Sequence, residues 1–182
     1  MVDHLTQYSN IVNSSYKGLV FTYSYFLFGG EIMIISSTRL GDLEVNNEHV
    51  LQFIQPMLGF SEVKAYALVQ EKNSDAWYEY LQAIDEPDLM FIIADPFQLQ
   101  RDYAFDLNAV TKQQLAIIAE EDIVVRVVVS ARSSEDITVN LKAPLIINLR
   151  TRQAAQIVID RTEYSIRHLL KGGEADAHII KD

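Results

Sequence analysis

From Met33 onward, apolar positions recur at the short periods of strands, not of helices. Ile34-Ile35-Ser36-Ser37-Thr38 is β-branched and stops before Gly41-Asp42, which reads as a turn. Residues 50–54 form a second short strand, stopped by Pro56 and Gly59. Residues 63–70 alternate, and 77–81 read as a half-buried aromatic strand. Residues 89–94 are continuously apolar, the mark of a strand covered on both faces. The run Ile-Val-Val-Arg-Val-Val-Val at 123–129 is almost purely β-branched, and 137–139, 145–149 and 155–159 are three further strands. Residues 164–170 suit a strand or a helical turn. The best helix candidate is 111–119. There Thr111 is placed as N-cap, Gln114 takes the capping-box position, and Leu115 and Ile118 share a face. About eight or nine short strands with so little helix predict an all-β fold, barrel-like or coiled, with strongly bent antiparallel sheets and one or two short helices.

The ends break this pattern. Residues 18–30 read GLVFTYSYFLFGG, apolar and aromatic without a charge. That run is short of the roughly 20 apolar residues a spanning helix needs. One lysine ahead of it and no clear small-x-small site make a poor signal peptide. Residues 1–32 are therefore set apart as an extra N-terminal segment, read as an over-extended start with Met33 the natural one; a further strand or an anchor is the alternative. Residues 33–171 form the β domain. The Gly-led polar stretch 172–182 is a frayed tail.

Composition narrows the function classes. Lys and Arg number 15 against 25 Asp and Glu, a formal charge of −10. Such a chain is ill suited to neutralising phosphates, so direct nucleic-acid binding is not expected. An acidic surface instead suits a basic protein partner, or serves solubility alone. The absence of cysteine removes disulfides and thiolate metal sites, in keeping with a reducing cytosol.

Catalytic signals are missing. There is no GxGxxG, Walker A or GxSxG pattern, and His4, His49, His168 and His178 are scattered, so neither cofactor nor metal is expected. Two tight carboxylate groups stand out: Asp85, Glu86 and Asp88 around Pro87, and Glu120, Glu121 and Asp122 after the predicted helix. Paired carboxylates perform acid–base chemistry when burial splits their pKa values, but these lie where solvated loops are expected. An acidic docking patch is the other reading. Arg150, Arg152, Arg161 and Arg167 with Tyr164 form a basic grouping, read as ordinary surface pairing given Asp160 and Glu163 beside them.

Two segments carry more information than the rest. Asn140-Leu141-Lys142-Ala143-Pro144 interrupts two β-branched runs, with Asn148 beyond it. Pro144 donates no ladder hydrogen bond and should mark a strand start or an edge; Asn140 is suited to bonding neighbouring backbone. Asp95-Pro96-Phe97, followed by Tyr103, should end a buried strand, because a residue before proline stays extended. With Thr38-Arg39-Leu40-Gly41, Phe53, Pro56, Gly59, Phe60, the Leu81-Gln82-Ala83 stretch, Gln156, Val158 and Ile159, these segments resemble in order the FliW family of flagellar assembly factors over about 33–170. The chain departs from that pattern at Pro56-Met57-Leu58-Gly59-Phe60, where the proline is displaced.

The resemblance implies a cytoplasmic, non-catalytic regulator. FliW-like proteins bind flagellin and, when free of it, bind CsrA, a basic RNA-binding repressor of flagellin translation, away from its RNA contacts. On that implication Asp85, Glu86, Asp88, Glu120, Glu121 and Asp122 are the candidate CsrA face. Flagellin is expected at an apolar surface, with the aromatics at 77–80 and 97–103 as candidates. Asp95, Pro96, Tyr103, Asn140, Leu141, Ala143, Pro144 and Gln156 are family-signature residues with structural roles. The rival readings are a small β-barrel enzyme or ligand carrier, which needs a deep pocket, and an RNA-binding β module, which needs a basic aromatic face.

Overall fold

The computed structural model describes residues 31–70, 76–133 and 135–170. The segment 1–30 and the tail, on which two of the boundary expectations fall, lie outside the described residues. Strands β1 (Ile32–Ser37) and β2 (Gly41–Asn46) form a separate hairpin. Then β3 (Val50–Phe53), β4 (Ala65–Val69), β5 (Tyr78–Ala83), β6 (Met90–Ala94) and β7 (Ile123–Ser133) follow in antiparallel succession. Two short helices, α1 (Pro96–Leu99) and α2 (Ala109–Gln114), lie between β6 and β7. The long β7 is shared: β8 (Asp136–Val139) pairs with its far half and β9 (Leu145–Asn148) with its first half. β10 (Gln153–Gln156) pairs with β9 and, in parallel, with β3, while β11 (His168–Leu169) borders β8.

These pairings close a ring. Passing from β3 through β4, β5, β6, β7, β9 and β10 returns to β3, so seven strands make a barrel. Closure removes most edges, the usual liability of a sheet. Strand alternation sorts the side chains into two cores. Leu51, Tyr66, Leu81, Ile93, Val124, Leu145 and Ala154, one from each ring strand, share the inner face and fill the barrel. On the opposite face, Tyr78, Ala94, Val127 and Ile146 are covered by the crossing that holds α1 and α2, by β8 and by Leu170 just beyond β11. Each Leu or Ile so buried contributes about 1.5–3 kcal/mol. The run 89–94 is covered on both faces as expected: Ile93 lies inside, Ala94 outside.

The all-β, barrel-like expectation holds, with four adjustments. There are eleven strands among the described residues, and the β3–β10 pair is parallel because β10 returns across the barrel's closing seam. Gly41-Asp42 is not the turn but the start of β2; the turn is Thr38-Arg39-Leu40, and Gly41 leaves it at φ +75°, a conformation that favours glycine. Thr111 is not an N-cap. Asn108 is, accepting the Thr111 amide at 2.8 Å, so α2 starts earlier. It also ends earlier, because Ala116 turns to φ 52° and takes Ile118 off the helix. At the displaced proline, the chain makes a turn from Met57 to Phe60, closed by a 2.9 Å hydrogen bond with Gly59 at φ +89°.

Candidate functional site

The Asn140–Pro144 step has a topological task. Val129 faces Val139, and Arg126 faces Leu145. Three residues back along β7 thus correspond to six forward on its neighbour, so three extra residues are inserted where β8 gives way to β9. The insertion is an enlarged bulge, which bends the sheet sharply. It lets β8 leave toward β11 while β9 stays in the barrel wall.

The signature residues hold that bulge. Asn140 Oδ1 accepts the Ala143 amide at 3.0 Å. Tyr103, fully buried, donates its hydroxyl to the Leu141 carbonyl at 2.8 Å. Gln156 donates Nε2 to the Ala143 carbonyl at 3.2 Å and accepts the Leu58 amide at 2.9 Å. Pro144 lies just before β9, and its carbonyl accepts from Ile157. Upstream, Asp95 is extended and caps α1 by accepting the Phe97 amide at 2.9 Å, with Pro96 in the first helical turn. Asn140, Leu141, Ala143, Pro144 and Gln156 therefore meet at one structural joint, to which Tyr103 ties the segment that follows α1, while Asp95 and Pro96 shape the start of α1. Burial, with Tyr164 beside it, raises the Tyr103 pKa, so its hydroxyl stays a donor. Tyr103→Phe should cost about 1 kcal/mol, the worth of one buried hydrogen bond left half-made. Thermal unfolding checks this; an unchanged midpoint would show that the link carries no stability.

The two acidic groups do not form one patch. Asp85, Glu86 and Asp88 stand exposed in the β5–β6 turn, where Asp88 accepts the Thr38 hydroxyl. Glu120, Glu121 and Asp122 form a 3-10 turn that leads directly into β7. β6 leaves the first group and runs antiparallel to β7, so the groups sit at opposite ends of the β6–β7 pair. Asp122 is partly committed: it pairs with Arg150 at 3.5 Å, and its carbonyl accepts the Leu149 amide at 2.7 Å. Arg161 pairs with Glu163 and Arg167 with Asp136, so three arginines of the basic grouping are engaged. Tyr78 and Tyr103 of the aromatic candidates are buried, and Trp77, Tyr80 and Phe97 pack against the outer core. The larger exposed apolar side chains are elsewhere, among them Ile32, Ile34, Leu58, Val158 and Ile166.

Two constellations are absent from the sequence reading. Glu79 and Arg126 point inward on β5 and β7 and pair inside the barrel, where Gln70 also donates to Glu79 at 2.9 Å. A lone arginine within an apolar β run was the available signal. Asn148, fully buried at the end of β9, joins the end of α2 to the turn that follows β9 through four hydrogen bonds. Among the described residues no group of three or more His, Asp or Glu side chains suits a metal ion, and no helix is long and apolar enough to cross a membrane.

Comparison with known proteins places this architecture. The family profile described as FliW protein matches residues 34–170. A flagellar assembly factor FliW of Ruminiclostridium cellulolyticum is 32% identical over 139 residues, covering 76% of this chain and 94% of that protein. One from Syntrophus aciditrophicus is 37% identical over 146 residues, covering 78% and 90%. A crystal structure of the flagellar assembly factor FliW superposes with a TM-score of 0.70 at 32% identity, covering 76% of this chain and 97% of that one. A profile match through the whole barrel, relatives aligned over most of both lengths, and a shared three-dimensional arrangement agree: the chain belongs to the FliW family of flagellar assembly factors.

Proposed function

We propose that this chain is a cytoplasmic partner-exchange regulator: it binds flagellin and, when flagellin is absent, binds CsrA and relieves repression of flagellin translation. Membership of the FliW family carries the reading. The charge of −10 supports it, because a regulator that holds RNA must be basic and an acidic surface steers it into encounter. The exposed Asp85–Glu86–Asp88 turn is the stronger candidate for that contact, since its carboxylates face solvent. The Glu120–Asp122 group sits at the far end of the β6–β7 pair and has Asp122 in an ion pair, so it is proposed as a second, weaker region of contact.

Calorimetric titration with purified CsrA and with purified flagellin, at low and high salt, tests this. The expected result is binding to both, with CsrA affinity falling roughly tenfold as salt screens the contact. Reversing Asp85, Glu86 and Asp88 to lysine should weaken CsrA by about tenfold or more and spare flagellin. Unchanged CsrA affinity and salt dependence in that variant would remove the acidic turn from the interface. Binding to flagellin alone would leave a flagellin chaperone without the regulatory arm.

A further inference from the structure

The hairpin of β1 and β2 has two outer edges that no other strand pairs with among the described residues, and the one on β1 carries the exposed apolar side chains. Its hydrogen-bonding pattern fixes which groups lie there. The Asn47 amide donates to the Glu31 carbonyl, and Ile32 faces Asn46, so 31 and 47 are a bonded pair. Antiparallel pairs alternate between bonded and non-bonded. Met33, Ile35 and Ser37 therefore spend their amides and carbonyls on β2, whereas those of Ile32, Ile34 and Ser36 point away from it. The next residue in this series, Thr38, already donates its amide to the Pro87 carbonyl at 3.0 Å. The outward edge thus ends on the turn that carries Asp85, Glu86 and Asp88.

The edge lacks the usual protections. It has no proline, no lysine and an unbroken register with β2. Its outer face is apolar: Ile32 is 65% and Ile34 71% exposed. Across the hairpin on that face stand Glu44, opposite Ile34, and Asp42, opposite Ser36. The surface is thus an apolar stripe with an acidic rim and an acidic end.

We propose that the β1 edge is a docking site for an extended segment of a partner protein, added as a further strand, with apolar residues at alternate positions and lysines or arginines at one end. The outward amides and carbonyls of Ile32, Ile34 and Ser36 give the ladder, Ile32 and Ile34 select apolar side chains, and the acidic turn selects the basic end. Antiparallel addition, the more stable pairing, brings the segment's N-terminal end to Asp85–Asp88. The assignment is independent of which protein supplies the segment.

The test uses the full chain and fluorescein-labelled synthetic peptides followed by anisotropy. The probe alternates valine and threonine and begins with a short run of lysines. Four changes are expected to weaken its binding. Backbone N-methylation at alternate residues, which removes the ladder donors but keeps the side chains, should lower affinity on the order of a hundredfold. Moving the lysines to the C-terminal end, or reversing Asp85 and Glu86 to lysine, should lower it by about fivefold or more. Ile34→Pro deletes an amide that β2 does not use, so the hairpin survives and the peptide weakens by about fivefold or more. Equal binding of the N-methylated peptide, or no binding of the probe, would overturn the proposal. Self-association through Ile34 that the peptide cannot compete with, seen by sedimentation, would overturn it too and assign the edge to a second copy.

Discussion

Arg126→Leu will destabilise the protein by about 3–5 kcal/mol, because it strands the Glu79 carboxylate inside the barrel. Glu79 is 6% exposed and lies on the inner face with Leu81 and Ala83. Arg126 lies on the same face of β7 as Val124, and its Nε donates to Glu79 while Nη1 donates to the Val125 carbonyl at 3.0 Å. Without the guanidinium, the Gln70 amide is the partner that the charge keeps among the described residues. The double variant Glu79→Leu/Arg126→Leu should recover most of the loss, ending within about 2 kcal/mol of the parent, since two apolar side chains replace a desolvated pair. Urea unfolding of the four species closes the double-mutant cycle. If Arg126→Leu cost under about 1 kcal/mol, the pair would be solvated and the barrel interior open to water. Recovery in the double variant also separates this role from docking: neither residue reaches the acidic turn or the β1 edge, so partner binding should follow folded fraction alone.

The strands were legible because burial writes itself locally. The run at 89–94 needed a cover on each face and has one; the β-branched run at 123–129 became the longest strand. What stayed hidden depends on registers between distant segments. Asn140 and Pro144 were readable as a backbone-bonding residue and a strand start, and both are so. That the step is a three-residue insertion beside β7 follows only from how Val139 and Leu145 align on a strand ten or more residues earlier. Thr111 looked like a cap because Gln114 stands three residues on, in the capping-box position. Asn108, the stronger cap residue, starts the helix one turn sooner and leaves Thr111 buried inside it. Each of the two carboxylate groups sets three acids within a span of three or four residues. Only the antiparallel course of β6 and β7 sets them apart, and the contacts of Thr38 with Pro87 and Asp88 join one of them to the edge of β1.

Asn148→Leu will cost about 3–4 kcal/mol, the second large loss expected, and the damage will be local. The side chain is fully buried. Its Oδ1 accepts the amides of Arg150 at 2.9 Å and Thr151 at 3.2 Å, and its Nδ2 donates to the carbonyls of Leu115 at 2.8 Å and Ala116 at 3.2 Å. Both segments it joins contain a residue with positive φ, Ala116 at 52° and Arg152 at 60°, conformations that cost energy for side chains with a Cβ and persist when their surroundings hold them. Leucine fills the space but leaves the Arg150 and Thr151 amides without their acceptor, while the Leu115 and Ala116 carbonyls keep only Thr151 Oγ1 at 3.4 Å and Arg150 Nη2 at 2.7 Å among the described residues. Asn148→Asp isolates the donor half: both acceptor bonds survive, but a carboxylate oxygen then meets the Leu115 and Ala116 carbonyls, so it should also destabilise. Hydrogen exchange will show the consequence as faster opening of 115–122, with the β5–β6 turn unchanged. Because 120–122 carries the second acidic group, this variant also weighs the two groups. If CsrA affinity holds while 115–122 opens, the Asp85–Asp88 turn suffices for docking. If affinity falls with it, both ends of the β6–β7 pair belong to the interface, and the partner must span the barrel wall between them.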